Sequence, residues 1–289
     1  MASIQSTALN GLEAIRIRTS LAEARIAMHG AHVTHFEPSG EQPVLFLSRA
    51  SHFAIGKAIR GGVPVIFPWF GPRSGHPQSP SHGFGRTRLW TLEAAEELPS
   101  GEVTVMLRLD ADAASQAVWP GAWTLRHRVT VGRTLTMALE LENCGDAPLV
   151  YEDALHTYIA VSEVQQVEVL GLEGGDYLDK TEGQRRKQQP MAPVRFTGEV
   201  DRTYLNTPPR ATIVDPGWQR RIVVEKEGAG STVVWNPWIE KAAALADLGD
   251  QEWTQFVCVE TGNIADNTIT LAPGAVHTST TRVWSEALA

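Results

Sequence analysis

Two stretches of this chain alternate apolar and polar residues with a period of two. In VTVMLRLD the apolar set is Val103, Val105, Leu107 and Leu109, and in TLTMALELEN it is Leu135, Met137, Leu139 and Leu141. Successive side chains of an extended backbone point to opposite faces, so each stretch predicts a strand with one buried face. Shorter runs predict further strands: ARIAMHGAHVTHF, WTLRHRVTV, VQQVEVLGL, RIVVEKE, STVVW and WTQFVCVE, separated by Gly, Pro, Asn or Asp. Many short strands with turn residues between them predict an all-β protein of stacked, largely antiparallel sheets. One helix is predicted, KAAALADLG from Lys241 to Gly249, rich in alanine and leucine and ending on a glycine. No internal repeat is legible. The segment GLEGGDYLDKTEGQRRKQQP, with its RRK cluster, reads as a solvated loop rather than a linker, so residues 1–289 are expected to form a single domain.

Composition narrows the classes of function. At 289 residues, 43% hydrophobic and 20% charged, the chain can bury a sizeable core. A formal net charge of -8 gives no general attraction to nucleic acid or anionic membranes, but leaves room for a local cationic pocket that takes a small anion. With only Cys144 and Cys258, a disulfide framework is not expected. The opening MASIQSTALNGLEAIRIRTSLAEARIAMHG lacks the continuous apolar segment of a signal peptide or spanning helix, and no later stretch supplies one, so a cytoplasmic protein is expected.

Candidate chemistry is scattered. In IRGGVPVIFPWFG, Arg60 stands beside glycines that let backbone approach a ligand and aromatic surfaces that can support an arginine or a sugar face. The same residues also read as a tight turn into a buried strand. In YEDALHTYIAV, His156 and Tyr158 share a face of an extended chain, which suits either an oriented imidazole beside an enclosing ring or a satisfied half-buried histidine. In WTQFVCVETGN, Thr254, Phe256, Cys258 and Glu260 share a face; Glu260 is either a desolvated carboxyl or a group just past the sheet edge in water. Asp201 and Arg202 read as a surface ion pair or as an acid and a cation for a ligand. SPSHGFGRTRLW sets Ser81, His82, Arg86 and Arg88 around Gly83 and Gly85, an unexpected cationic segment in an acidic protein.

Other chemistries find less support. His29, His32 and His35 recur every three residues, but without an HExxH arrangement and with Gly30 between them, so structural roles are expected. Gly171, Gly174 and Gly175 lack the Lys-Ser or Lys-Thr of a phosphate loop, and no nucleophile elbow is present.

Taken in order, RGGVPVIFPWFG, HGFGR, ALHTY, VDRTY, VVWNPW and FVCVETGN resemble the bacterial glucose-6-phosphate 1-epimerases, or hexose-6-phosphate mutarotases, over most of the chain. The resemblance implies a galactose-mutarotase-like β-supersandwich with short helices, His156 and Glu260 on facing surfaces of a sugar cleft, and no metal or redox cofactor. It implies Glu260 as general base on the C1 hydroxyl and His156 as general acid on the ring oxygen; reclosure on the other aldehyde face gives the other anomer. Arg60 and Arg86 match positions that would hold the phosphate, and Asp201 one that would hold a hydroxyl. Ser81 stands where a relative uses a longer amide, so water or its own backbone is the expected route of contact. His82 is expected to bond the sugar or brace its loop. The implied partner is a hexose 6-phosphate, with no nucleic acid or membrane partner, and the protein is expected to be a monomer. The alternatives are an unphosphorylated aldose 1-epimerase and a noncatalytic sugar-binding protein.

Overall fold

The computed structural model describes residues 2–288, and its main architecture is two eight-stranded sheets. The back sheet runs Glu168–Leu170, Arg210–Asp215, Arg220–Glu227, Val276–Ala287, Leu135–Asn143, Trp123–Val131, Val103–Asp110 and Thr91–Glu97. Its ladders are antiparallel, with Leu107 opposite His127 and His127 opposite Leu139. Both alternating sets read from the sequence are buried here. His127 interrupts the apolar row; its Nδ1 lies 3.0 Å from the Ala31 carbonyl, and burial pushes its pKa down to about 4, which keeps it neutral.

The front sheet runs Arg185–Gln188, Asp176–Asp179, Val200–Tyr204, Ser231–Asn236, Phe256–Asn263, Asp153–Leu155 and Val65–Ile66, and Tyr158–Ala160 also pairs with Phe256–Asn263. Ser231–Asn236 and Phe256–Asn263 are buried at every residue, which is why they hold the consecutive apolar residues VVW and FVCV rather than an alternating pattern. Residues of both large sheets join in one hydrophobic cluster. A four-stranded sheet made by residues 3–38 contributes Ile17, Ile26, Val33 and Phe36 to it. The stacked antiparallel all-β arrangement predicted from the pattern is the one observed.

Two expectations are corrected. The helix expected from Lys241 to Gly249 is instead Trp238–Ala243. Asn236 Oδ1 accepts from the Trp238 amide at 2.9 Å and starts the helix early, whereas Asp247 is turned back to bond Arg60 Nε at 3.1 Å. The segment read as a solvated loop is a hairpin, Asp176–Asp179 with Arg185–Gln188, which extends the front sheet through Asp179 opposite Arg202. The edge strand Arg185–Gln188 has little apolar surface to bury, and the four residues of Asp176–Asp179 bury Tyr177 and the polar Asp179, so neither strand carries an apolar alternation to read.

The histidine trio does not converge. His32 Nε2 donates to the Gly61 carbonyl at 2.7 Å, His29 Nε2 accepts from the Gly56 amide at 3.1 Å, and His35 lies 3.6 Å from Glu37. Both cysteines are free thiols, Cys258 buried and Cys144 exposed. Among the described residues no helix is long and apolar enough to cross a membrane.

Candidate active site

Register assembles the site. Opposite residues on antiparallel neighbours share a face, and one such row contains Asp201, Trp235, Cys258 and Tyr158. The next row on that face contains Thr203, Val233 and Glu260. Leu155 lies opposite Thr261 and Tyr158 opposite Cys258, so the same register sets His156 opposite Glu260. Asp179 pairs with Arg202, so the following residue, Lys180, comes opposite Asp201.

Over this face lies a cavity of about 270 Å³. Arg60, Ser81, His82, Arg86, His156, Asp201 and Glu260, all singled out from the sequence, line it. So do Phe70, Lys180, Trp235, Lys241 and Leu245, which sequence reasoning missed. Trp235 and Phe70 lay inside quoted motifs without a role. Lys180 and Lys241 had been placed in a loop and a helix, with no local signal of their convergence.

His156 and Glu260 are not on facing surfaces of a cleft. They stand side by side on neighbouring strands of one sheet, with His156 Nε2 3.4 Å from Glu260 Oε1. The imidazole stacks on Tyr158 with ring centroids 4.8 Å apart and meets the Trp235 ring edge-on, so its plane is fixed. Of the two readings left open for Glu260, the structure selects the buried one, at 1% exposure. Its Oε2 has no hydrogen-bond partner among the described residues. Burial pushes the Glu260 carboxyl well above its ordinary value; Lys180 and Arg86 pull it down and Asp201 adds to the rise. Burial also pushes His156 well below its ordinary value, helped by His82, Arg86, Arg60 and Lys180. Both shifts favour the uncharged forms of the two groups in the absence of a ligand.

The two arginines differ. Arg60 Nε donates to Asp247 at 3.1 Å and its Nη1 to the Tyr158 hydroxyl at 3.0 Å, so its charge is already matched. Arg86 has no carboxylate partner among the described residues: its Nη2 donates to the Ser81 carbonyl at 2.9 Å, and its Nε is buried without a partner. Gly83 makes this placement achievable. At φ 68° a Cβ there would lie 1.9 Å from the Phe67 carbonyl oxygen. That oxygen accepts from the Phe84 and Gly85 amides at 2.8 and 3.1 Å and pins the turn that carries Arg86. Ser81 acts here through its backbone carbonyl, and its side chain is exposed. His82 braces the loop, its Nδ1 accepting from the Gly71 amide at 3.3 Å. Arg88 belongs elsewhere, paired with Asp112 at the cap of the helix Ala113–Val118.

Asp201 does not pair with Arg202, which points the other way, lying 4.9 Å over the Tyr177 ring and donating to Gln189 at 3.1 Å. The Asp201 oxygens are flanked by two lysines, with Lys180 Nζ 3.4 Å from Oδ1 and Lys241 Nζ 3.7 Å from Oδ2. The aromatic run supports cations, with Lys180 4.1 Å over Phe70 and Arg73 4.8 Å over Trp69.

Comparison with known proteins identifies the family. The aldose 1-epimerase family model matches residues 13–284. A Cenchrus ciliaris protein provisionally named a glucose-6-phosphate 1-epimerase is 35% identical over 274 residues, covering 92% of this chain and 82% of its own. A protein of Escherichia coli K12 with the same provisional name is 35% identical over 253 residues, covering 88% of this chain and 84% of its own. The crystal structure of a provisionally named mutarotase from Salmonella typhimurium superposes with a TM-score of 0.92 at 31% identity, over 98% of this chain and 94% of that one. The chain belongs to the aldose 1-epimerase family, enzymes of the mutarotase type.

Proposed function

We propose that this enzyme interconverts the α and β anomers of a hexose 6-phosphate, with glucose 6-phosphate as its substrate. The observation that carries the phosphate is Arg86, a guanidinium without a carboxylate partner among the described residues, in a cavity lined by four cations and two carboxylates. The chain as a whole carries -8. A cationic recess in an acidic protein needs an anionic occupant, and a guanidinium fork suits a phosphate dianion. Arg60, oriented by Asp247 and Tyr158, presents its remaining edge to the same group. The provisional names of the relatives from Cenchrus ciliaris and Escherichia coli agree with that substrate.

The side-by-side acid and base suit mutarotation because the two oxygens that exchange protons, O1 and the ring oxygen, are bonded to one carbon. Glu260 in its ionised form takes the O1 proton, and the O1–H electrons become the second bond of the C1 aldehyde. The bond from C1 to the ring oxygen breaks, and that oxygen takes a proton from His156. Rotation about C1–C2 and the reverse transfers close the ring on the other face. The reactive ion pair and the resting uncharged pair hold the same single proton, so the active fraction is level over a pH plateau and falls when the pair gains or loses a proton.

The test is the relaxation of freshly dissolved α-glucose 6-phosphate and α-glucose, followed by polarimetry with the spontaneous rate subtracted. A higher kcat/KM for the phosphate ester is expected. A preference for the neutral sugar would overturn the phosphate assignment, and binding without acceleration would overturn catalysis.

A further inference from the structure

We propose that Lys180 is the positioning cation of the reaction site: it holds Asp201 and the Phe70 ring in place and, across the cavity, stabilises the ionised form of Glu260 that accepts the O1 proton. The inference rests on reading Glu260 as the proton acceptor. Lys180 comes from the connection of the edge hairpin, outside every motif that pointed to the site. Its ammonium lies 3.4 Å from Asp201 Oδ1 and 4.1 Å over the centre of the Phe70 ring, and its side chain is 21% exposed.

The backbone beneath it is fixed. Asp179, buried, accepts from the Thr181 amide at 3.1 Å, the Thr181 hydroxyl at 2.6 Å and Lys187 Nζ at 3.0 Å. The ammonium is therefore held by the turn from below and by a carboxylate and a ring from above, so it needs little rearrangement when substrate arrives.

The other groups around Glu260 cannot take this part. His156, opposite it, and His82, from the loop, are held neutral by burial. Cys258, on the same strand, is a buried thiol held protonated, and the Tyr158 hydroxyl is likewise held protonated. Asp201, from the adjoining row, repels a second negative charge. Arg60 and Lys241 are drawn off to Asp247 and Glu199, whereas the carboxylate that holds Lys180, Asp201, stands in the row next to Glu260 on the same face of the sheet. Arg86 attracts Glu260 in the empty site, but a bound phosphate dianion neutralises that guanidinium. Lys180 then remains as the cation that lines the same cavity from the row adjoining Glu260, and its charge opposes the effect of burial on that carboxyl.

The test uses Lys180→Met, Lys180→Arg and Lys187→Met in the full chain, with kcat/KM followed against pH on both α-glucose 6-phosphate and α-glucose. Lys180→Met should lower kcat/KM at neutral pH by about tenfold or more and move the acid limb of the profile up by on the order of one pH unit, the effect of removing a nearby opposite charge from a carboxylate. Lys180→Arg should restore the limb. Lys187→Met loosens the same hairpin without removing a charge from the cavity, and its limb should stay with that of the wild type. An unmoved limb in Lys180→Met, or an equal shift in Lys187→Met, overturns the proposal. A loss confined to the phosphorylated sugar would make Lys180 a phosphate ligand instead, which also overturns it. If the wild type accelerates only glucose, the phosphate reading fails while the limb shift, read on glucose, still decides the role of Lys180.

Discussion

Replacing Arg86 by methionine separates phosphate recognition from the chemistry of the sugar ring. Among the described residues, this guanidinium has one hydrogen bond, to the Ser81 carbonyl, and a buried Nε without a partner. Two of its N–H groups directed at a phosphate would contribute about 1.5–3 kcal/mol each, the range for hydrogen bonds to charged groups. At about 1.4 kcal/mol per factor of ten, losing both lowers kcat/KM on glucose 6-phosphate by roughly 10² to 10⁴. Glucose has no phosphate to lose and forfeits only the pull of Arg86 on Glu260, so its relaxation should fall by about tenfold at most, and the preference for the phosphorylated sugar should collapse. Arg88→Met is the matched control two residues away. Its loss breaks a partly exposed pair with Asp112, and activity on either sugar should stay within about fivefold of the wild type. The assay is the polarimetric relaxation of both α-anomers, with a melting curve for each variant. Arg86→Met should melt slightly higher than the wild type, because it removes a largely buried cation that no carboxylate balances. Equal losses on both sugars, or equal effects of the two arginines, would refute the reasoning.

Other outcomes follow from the same geometry. Glu260→Gln should lower kcat on either sugar by about 10² or more, checked by the same relaxation assay. Its stability should diverge from that of the wild type as pH rises: burial raises the folded-state pKa of Glu260, so its contribution to stability is fully present below the unfolded value and lost as pH rises through the folded one. The variant has no such loss, and melting curves taken across pH should show its advantage growing toward alkaline pH. Gly83→Ala should destabilise by at least about 2 kcal/mol in denaturant titration, since a Cβ at φ 68° would sit 1.9 Å from the Phe67 carbonyl oxygen. Asp247→Asn should raise KM for glucose 6-phosphate more than it lowers kcat, because it removes the carboxylate that orients Arg60.

Much of the site was legible because its residue types are unusual where they stand. A carboxylate ending the apolar run FVCVE, a histidine two residues before a tyrosine in a strand, and arginines beside glycines in an acidic protein each needed a reason. The residues that escaped notice are ordinary in their local setting. Lys180 stands in a polar hairpin and Lys241 on a short helix, and only the strand order brings both to Asp201. Ser81 was expected to act through water or its backbone, and its carbonyl holds Arg86.

Fold class is set locally in this chain. Period-two burial in Val103–Asp110 and Leu135–Asn143 follows from backbone geometry alone. Register is not local. His156 and Glu260 become neighbours because two short strands meet Phe256–Asn263 in one continuous register, and the row through Asp201, Trp235, Cys258 and Tyr158 joins residues up to 100 positions apart in the sequence. Tertiary structure also decided the charges: burial raises the Glu260 carboxyl, Asp247 matches Arg60, and Arg86 has no carboxylate partner among the described residues. Desolvation and ion pairing depend on what packs against a group from distant parts of the chain, so the sequence names the reactive residues and the fold assigns their charge states.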